Sequence, residues 1–229
     1  MKHIFIYACL LLVSAGFFSC TENEEVYSCD KTVDAWVRDN LSDIQKMTRT
    51  DWLNLDARVN RAVYIALTPE QKYLFWKEKM VEVLALDWNE VEKKHIESLY
   101  ETISDNPQWF AADFRKNEKE QENFELFTYK WIEHAKDNLG WDMKLIGSMI
   151  ASGNKMLNTR GTLQIPVAST IRLKSEAEFE EGYKPKCQCN TGDNWCSDAF
   201  PDCKDLNTCA TTTSGCGWFL LRSCDGECK

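Results

Sequence analysis

The last 43 residues hold eight cysteines, Cys187, Cys189, Cys196, Cys203, Cys209, Cys216, Cys224 and Cys228. Thiols at this density either bind a metal or cross-link the chain. A structural zinc site wants paired knuckles such as two C-x2-C motifs, or cysteines mixed with histidine. This segment has one C-x-C, one C-x3-C and no histidine, and its other gaps carry the turn formers Thr191-Gly192-Asp193, Thr213-Ser214-Gly215 and Asp225-Gly226. The expectation is therefore four disulfides closing short loops, with no metal and no cofactor. Eight cysteines allow 105 connectivities, and spacing does not choose among them. The other constellation with catalytic spacing is Glu92-x-x-His95, which sets a carboxylate and an imidazole on one helix face. A di-iron bundle needs a second copy and two more carboxylates. His134 has Trp131 three residues before it, so the second copy is missing. His95 and His134 read as hydrogen-bonded structural histidines. No His-Glu-x-x-His, phosphate loop or Gly-x-Ser-x-Gly occurs, so no catalytic residue is assigned and the chain does not read as an enzyme.

The N-terminus is the third chemical feature. Met1-Lys2-His3 precedes an apolar run over residues 4–18, then Ser19-Cys20. That run is too short to span a bilayer, which takes ~20 residues at helical rise, and it reads as an export signal. Its end, Phe17-Phe18-Ser19-Cys20, resembles a lipobox, in which the cysteine becomes the lipidated first residue of the mature protein. Residues 1–19 are then the signal and Cys20 the membrane attachment. Residues 20–29, with Glu22, Glu24 and Glu25, form an acidic tether that resembles the sorting signal of surface-exposed outer-membrane lipoproteins. An exported chain meets oxidising conditions, in keeping with the cysteine-rich tail. With Cys9 removed and Cys20 lipidated, nine thiols remain, and Cys29 is the expected odd one out.

The elements that must position these groups are helical. Residues 30–157 show helical periodicity with few β-branched runs. Thr68-Pro69-Glu70-Gln71 joins an N-cap threonine, proline at the first helical position and a capping-box glutamine. The apolar face that follows is Tyr73, Trp76, Met80 and Leu84. A second helix carries Val91, Ile96, Leu99, Tyr100 and Ile103 and stops at Asn106-Pro107. A third carries Phe124, Phe127, Trp131, Ala135 and Leu139 and stops at Gly140. Shorter helices are expected over residues 32–47, 51–66 and 142–152. Seven of nine tryptophans, Trp36, Trp52, Trp76, Trp88, Trp109, Trp131 and Trp141, fall in this domain, where helical spacing makes them core rather than a sugar-stacking surface. The mixed charges from Arg115 to Glu122 read as a solvated helix start. Residues 158–186 read as a linker, with a short extended stretch at 162–167 and a hinge at Tyr183-Lys184-Pro185-Lys186.

The fold class is thus mainly α: a helical bundle followed by a small disulfide-rich module over residues 187–229. A segment of that size does not fold on core packing alone, so its bridges are its fold. Four large apolar residues, Trp218, Phe219, Leu220 and Leu221, cannot all face inward in so small a module. They form an exposed contact patch, pack on the helical domain, or make a short buried strand. The formal charge of −9, and six acids against three bases in the tail, argue against a nucleic-acid partner and against simple cationic lysis of membranes.

The Ser28-Cys29-Asp30 start, the stretch from Thr68-Pro69-Glu70-Gln71-Lys72 to Trp76-Lys77, and the tail with Gly215-Cys216-Gly217 and Cys224-Asp225-Gly226-Glu227-Cys228 resemble the bacteriocin fulvocin C-related proteins. The resemblance covers most of the mature chain. It implies a toxin-like tail on a helical carrier, and hence an exported antibacterial protein or precursor whose tail touches a competitor's envelope target through Trp218, Phe219, Leu220 and Leu221. The alternative is a non-toxic surface lipoprotein binding a host or glycan ligand. The location expected in either case is the outer membrane, anchored through Cys20, with release by cleavage at the hinge as a variant.

Overall fold

A computed structural model describes residues 25–164 and 209–226, together with the strand backbones of residues 188–189, 206–208 and 227–228. The architecture is mainly α. Eight helices run as α1 (Lys31–Asp39), α2 (Leu41–Ile44), α3 (Arg49–Leu53), α4 (Asn60–Ala66), α5 (Pro69–Leu84), α6 (Glu90–Asp105), α7 (Glu118–Leu139) and α8 (Met143–Ile150) among the described residues. Local chemistry sets their ends. The Thr68 side chain accepts from Gln71 N while the Gln71 carboxamide accepts from Thr68 N, which starts α5 at Pro69. Asn89 and Glu92 make the same reciprocal box for α6, and Asp142 caps α8. Gly140, at φ 68°, ends α7 in the left-handed conformation that favours glycine.

Two expected helices are each split. The stretch 32–47 breaks at Asn40, whose buried side-chain amide donates to Trp36 O at 2.8 Å and closes α1. The stretch 51–66 breaks where Asp56 Oδ1 accepts from Arg58 N at 2.8 Å, an Asx turn between α3 and α4. The apolar periodicity runs on through both breaks, because Val37 and Ile44 are buried on either side of the first and Leu55 and Val59 within the second. The charged stretch after Phe114 is also two elements, a 3-10 turn at Phe114–Lys116 and then α7, capped by Asn117.

One hydrophobic core unites these helices, and all seven tryptophans of the helical segment lie in it. Helix α5 is its axis. It buries Phe75, Trp76, Lys79, Met80 and Val83, so a lysine stands on a core stripe. The fully buried Lys79 Nζ donates to Ser148 O at 2.7 Å, Asn154 O at 2.9 Å and Ser152 O, matching the three donors of an ammonium. Beside it Arg49 pairs with Glu82 at 2.7 Å and donates to Gly153 O at 3.0 Å. Burial pulls Lys79 well below the usual lysine range, Arg49 acts in the same direction, and Glu82 opposes both. Gly153 is required by close approach, since a Cβ there would sit 2.7 Å from the rings of Phe75 and Trp52. The lysine and arginine thereby clamp the segment leaving α8 onto α3 and α5.

The expected linker begins inside the fold. Met156 and Leu163 form an antiparallel bridge, and Ser148 Oγ donates to Gly161 O at 2.8 Å. The rest of the linker, including the hinge at residues 183–186, lies outside the described residues. The tail adds two small antiparallel sheets. In one, β5 (Gly226–Cys228) lies between β1 (Gln188–Cys189) and β2 (Leu206–Thr208), with Asn207 opposite Glu227. In the other, β3 (Gly215–Cys216) pairs with β4 (Arg222–Ser223), and the 3-10 turn Trp218–Leu220 joins them.

Candidate functional site

The turn between β3 and β4 settles where the tail's apolar run goes. Trp218, Phe219, Leu220 and Leu221 are 4, 0, 4 and 8% exposed and belong to the core of the helical domain. Of the three placements expected for these residues, packing on the helical domain is the one found, and the contact patch is corrected: their side chains face inward. The physical reason is an aromatic socket that the small module could not supply by itself. Phe219 meets Trp76 edge to face at 5.1 Å between ring centroids, with Phe124 at 6.3 Å and Trp109 and Phe110 at 6.4 Å. Trp218 sits edge-on to Trp131 at 5.7 Å.

Side chains of the helical domain also hold the tail's backbone. Arg61 Nη1 donates to Gly215 O at 2.6 Å, the Tyr64 hydroxyl to Phe219 O at 2.7 Å, and Arg115 to Leu221 O. Tyr64 in turn accepts from Trp76 Nε1 at 2.8 Å, and burial raises its phenol far above the usual range. Gly215 permits the close contact, because a Cβ there would lie 2.8 Å from Ile65. Phe219 and Leu220 have φ of 49° and 54°, a left-handed pair that costs about 1–2 kcal/mol per residue and is held by this packing.

Two described disulfides tie the same region. Cys216 is bonded to Cys224 within the tail, as expected of a stapled loop. Cys29 is bonded to Cys209, 180 positions away. This corrects two expectations: Cys29 is paired, and the tail cysteines are not a closed set of eight. Cys29, just before α1, and Cys209 meet there although 180 positions apart. Cys187, Cys196 and Cys203 lie outside the described residues, as does Cys20. Cys189 and Cys228 are placed only as strand backbone.

Along this seam lies a cleft of about 290 Å³. Its walls come from the α4–α5 junction (Ile65, Leu67, Pro69), the 3-10 turn Pro107–Phe110 with Ala111 and Phe114 after it, and Leu221. Its polar groups include Glu25, Tyr27, Lys72, Arg115, Thr213 and Ser214. Lys72 Nζ donates to Ile65 O at 2.8 Å and Ser214 Oγ at 3.3 Å, and stands 5.6 Å from the centre of the Tyr64 ring. Burial lowers its pKa to about 8, with Glu25 acting in the opposite direction. Arg115 is also held below the usual range, by burial first and by Arg222 second, against Glu125. Tyr27 is raised, by burial and then by Glu25. Glu25 accepts from Thr213 Oγ1 at 2.8 Å, a further link between tether and tail.

The histidines sit elsewhere, in an aromatic stack on α6 and α7. His95 lies flat on Trp131 at 4.4 Å and on His134 at 4.6 Å. Its Nε2 is 3.1 Å from Trp131 O, and Trp131 Nε1 donates to His95 O at 3.1 Å. Burial, then the charge of His134, lowers His95 to about 4, against the Trp131 carbonyl. Glu92 accepts from Trp141 Nε1 at 3.1 Å and caps α6. Both halves of the Glu-x-x-His motif are thus engaged in packing. No group of three metal-ligating side chains occurs among the described residues, and no helix among them is long and apolar enough to cross a membrane.

Sequence reasoning did not find the cleft. Its cations looked like ordinary surface lysine and arginine, although Lys72, Trp76 and Lys79 recur at helical spacing on one face of α5. No protein-family model matches the chain, and neither does any curated protein or solved structure.

Proposed function

We propose that this protein is an exported, lipid-anchored envelope protein that binds a small ligand as one intact unit, and that the tail is part of the binding body rather than cargo. The observation that carries this reading is the burial of residues 218–221 in the helical core. A toxin-like tail acting through Trp218, Phe219, Leu220 and Leu221 needs those side chains at the surface. Presenting them would empty an aromatic socket and strip Arg61, Tyr64 and Arg115 of the carbonyls they donate to. The cleft supports the binding half of the reading, because concave sites with apolar walls and a few convergent polar groups are where small molecules bind. The acidic balance keeps nucleic acid out of the partner class, and the Cys20 lipobox resemblance supports the anchor.

The test is intact mass spectrometry of the protein recovered from its own cells and from their medium. A full-length chain starting at lipid-modified Cys20 is the expected species. A tail fragment starting near Cys187 and free in the medium would overturn the reading in favour of a released antibacterial peptide.

A further inference from the structure

We propose that the cleft at the tail seam takes a small amphipathic carboxylate, its head on Lys72 and its apolar body against Trp109, Phe110 and Leu221. The proposal names the ligand class for the binding reading above and rests on it. Three observations lead here. The cleft, at about 290 Å³, lies just below the usual ligand-pocket range of about 300–1,000 Å³, a size that suits a short ligand better than a long lipid or an oligosaccharide. Its walls are aromatic and aliphatic, so they reward an apolar body.

The third observation is charge. Lys72 and Arg115 line the cleft against the single carboxylate of Glu25, whose Oε1 already accepts from Thr213. An ammonium has three N–H donors, and two of those on Lys72 go to neutral oxygens, Ile65 O and Ser214 Oγ. Among the described residues no carboxylate lies at ion-pair distance from Lys72 Nζ, so its charge is offset only by Glu25 acting from farther away. A ligand carboxylate supplies the third acceptor and that counter-charge together, and a charge-assisted bond out of water is worth about twice a neutral one. Arg115 donates to Leu221 O and adds positive potential from the opposite wall.

The pH dependence follows from the groups facing Lys72: Glu25 and Tyr27 from the tether, Arg115 from the far wall, and Tyr64 beneath it. The head group needs the protonated amine, which is lost as pH rises through about 8. Carboxylate affinity therefore falls by about tenfold from pH 7 to pH 9.

Titration calorimetry on the intact, disulfide-oxidised protein tests this with octanoate and its neutral counterpart 1-octanol. Octanoate is expected to bind at least about tenfold more tightly than 1-octanol at pH 7, as one charge-assisted contact predicts. That preference should vanish in Lys72→Met, persist in Lys72→Arg, and shrink at pH 9 in the wild type. Equal affinity for octanoate and 1-octanol, or a preference unchanged by both Lys72→Met and pH, would overturn the assignment of Lys72. Binding of neither probe would overturn the amphipathic class, whereas the intact-unit reading is decided separately by the mass measurement. The wild-type pH series keeps the proposal falsifiable even where a Lys72 variant fails to fold.

Discussion

Truncating Phe219 to alanine should cost the whole protein about as much as removing a central core residue. The ring is fully buried against Trp76, with Trp109, Phe110 and Phe124 completing its socket. Phe→Ala changes at such sites cost about 3–5 kcal/mol, through lost transfer energy and the cavity left behind. The backbone offers no relief, because the left-handed φ of 49° is as unfavourable for alanine as for phenylalanine. The assay is urea unfolding with the disulfides kept oxidised, followed by far-UV circular dichroism, which reports the helices and not the tail. At an m of about 2 kcal/mol/M the midpoint should fall by about 2 M with m unchanged, and Tm by roughly 10 °C. A tail that merely hangs on the domain predicts a helical transition shifted by about 0.5 kcal/mol or less, as for a surface substitution. A shift of that size would refute the shared core. Phe219→Leu, which keeps most of the apolar volume, should recover more than half of the loss.

Tyr64→Phe removes a hydroxyl that bonds both Phe219 O and Trp76 Nε1 and leaves both buried partners unpaired, so it should destabilise by about 1–3 kcal/mol in the same unfolding assay. Lowering the pH from 7 to 4 should weaken the fold through His95, whose pKa is lowered to about 4 in the native state. The unfolded chain takes up a proton near pH 6.5 that the folded chain refuses, so stability falls as pH drops between those values. Because the ring is only partly buried, solvent screening holds the loss below about 2 kcal/mol, and the His95 part of the pH slope should be missing in His95→Gln. Alkylation under native, non-reducing conditions should leave Cys29 unlabelled, with its label appearing only after reduction, as peptide mass mapping will read. Replacing Cys29 by serine should lower stability by about 2–5 kcal/mol, since the bridge closes a loop of 180 positions.

Helix boundaries were legible where a side chain makes the boundary. Thr68 with Gln71, Asn106-Pro107 and Gly140 each announce an end of α5, α6 or α7, and the helices obey them. The breaks at Asn40 and Asp56 were not legible, because polar side chains closing a turn leave the apolar spacing intact. Tryptophans 36 to 141 were assigned to the core on type and spacing, and burial alone decides that outcome. The tail resists a single answer because composition describes a segment and not its neighbour: the run Trp218, Phe219, Leu220 and Leu221 fits a patch, a docked face or a strand equally, and the socket that decides comes from α4, α5, α7 and the turn at Pro107–Phe110. The pairing of Cys29 is not legible either, because its partner lies 180 positions away. Lys72 and Arg115 carried no local sign of burial, since long cationic side chains are ordinarily solvated.

The bond from Cys29 to Cys209 turns everything between them into a closed covalent ring. A protease that cuts once inside that ring opens it without dividing the molecule. The two pieces stay linked through sulfur, and they also share the core that holds Phe219. Disassembly then requires two events of different chemistry, a hydrolysis and a reduction. On the proposed export to an oxidising space, a single cut between Cys29 and Cys209 is thereby tolerated.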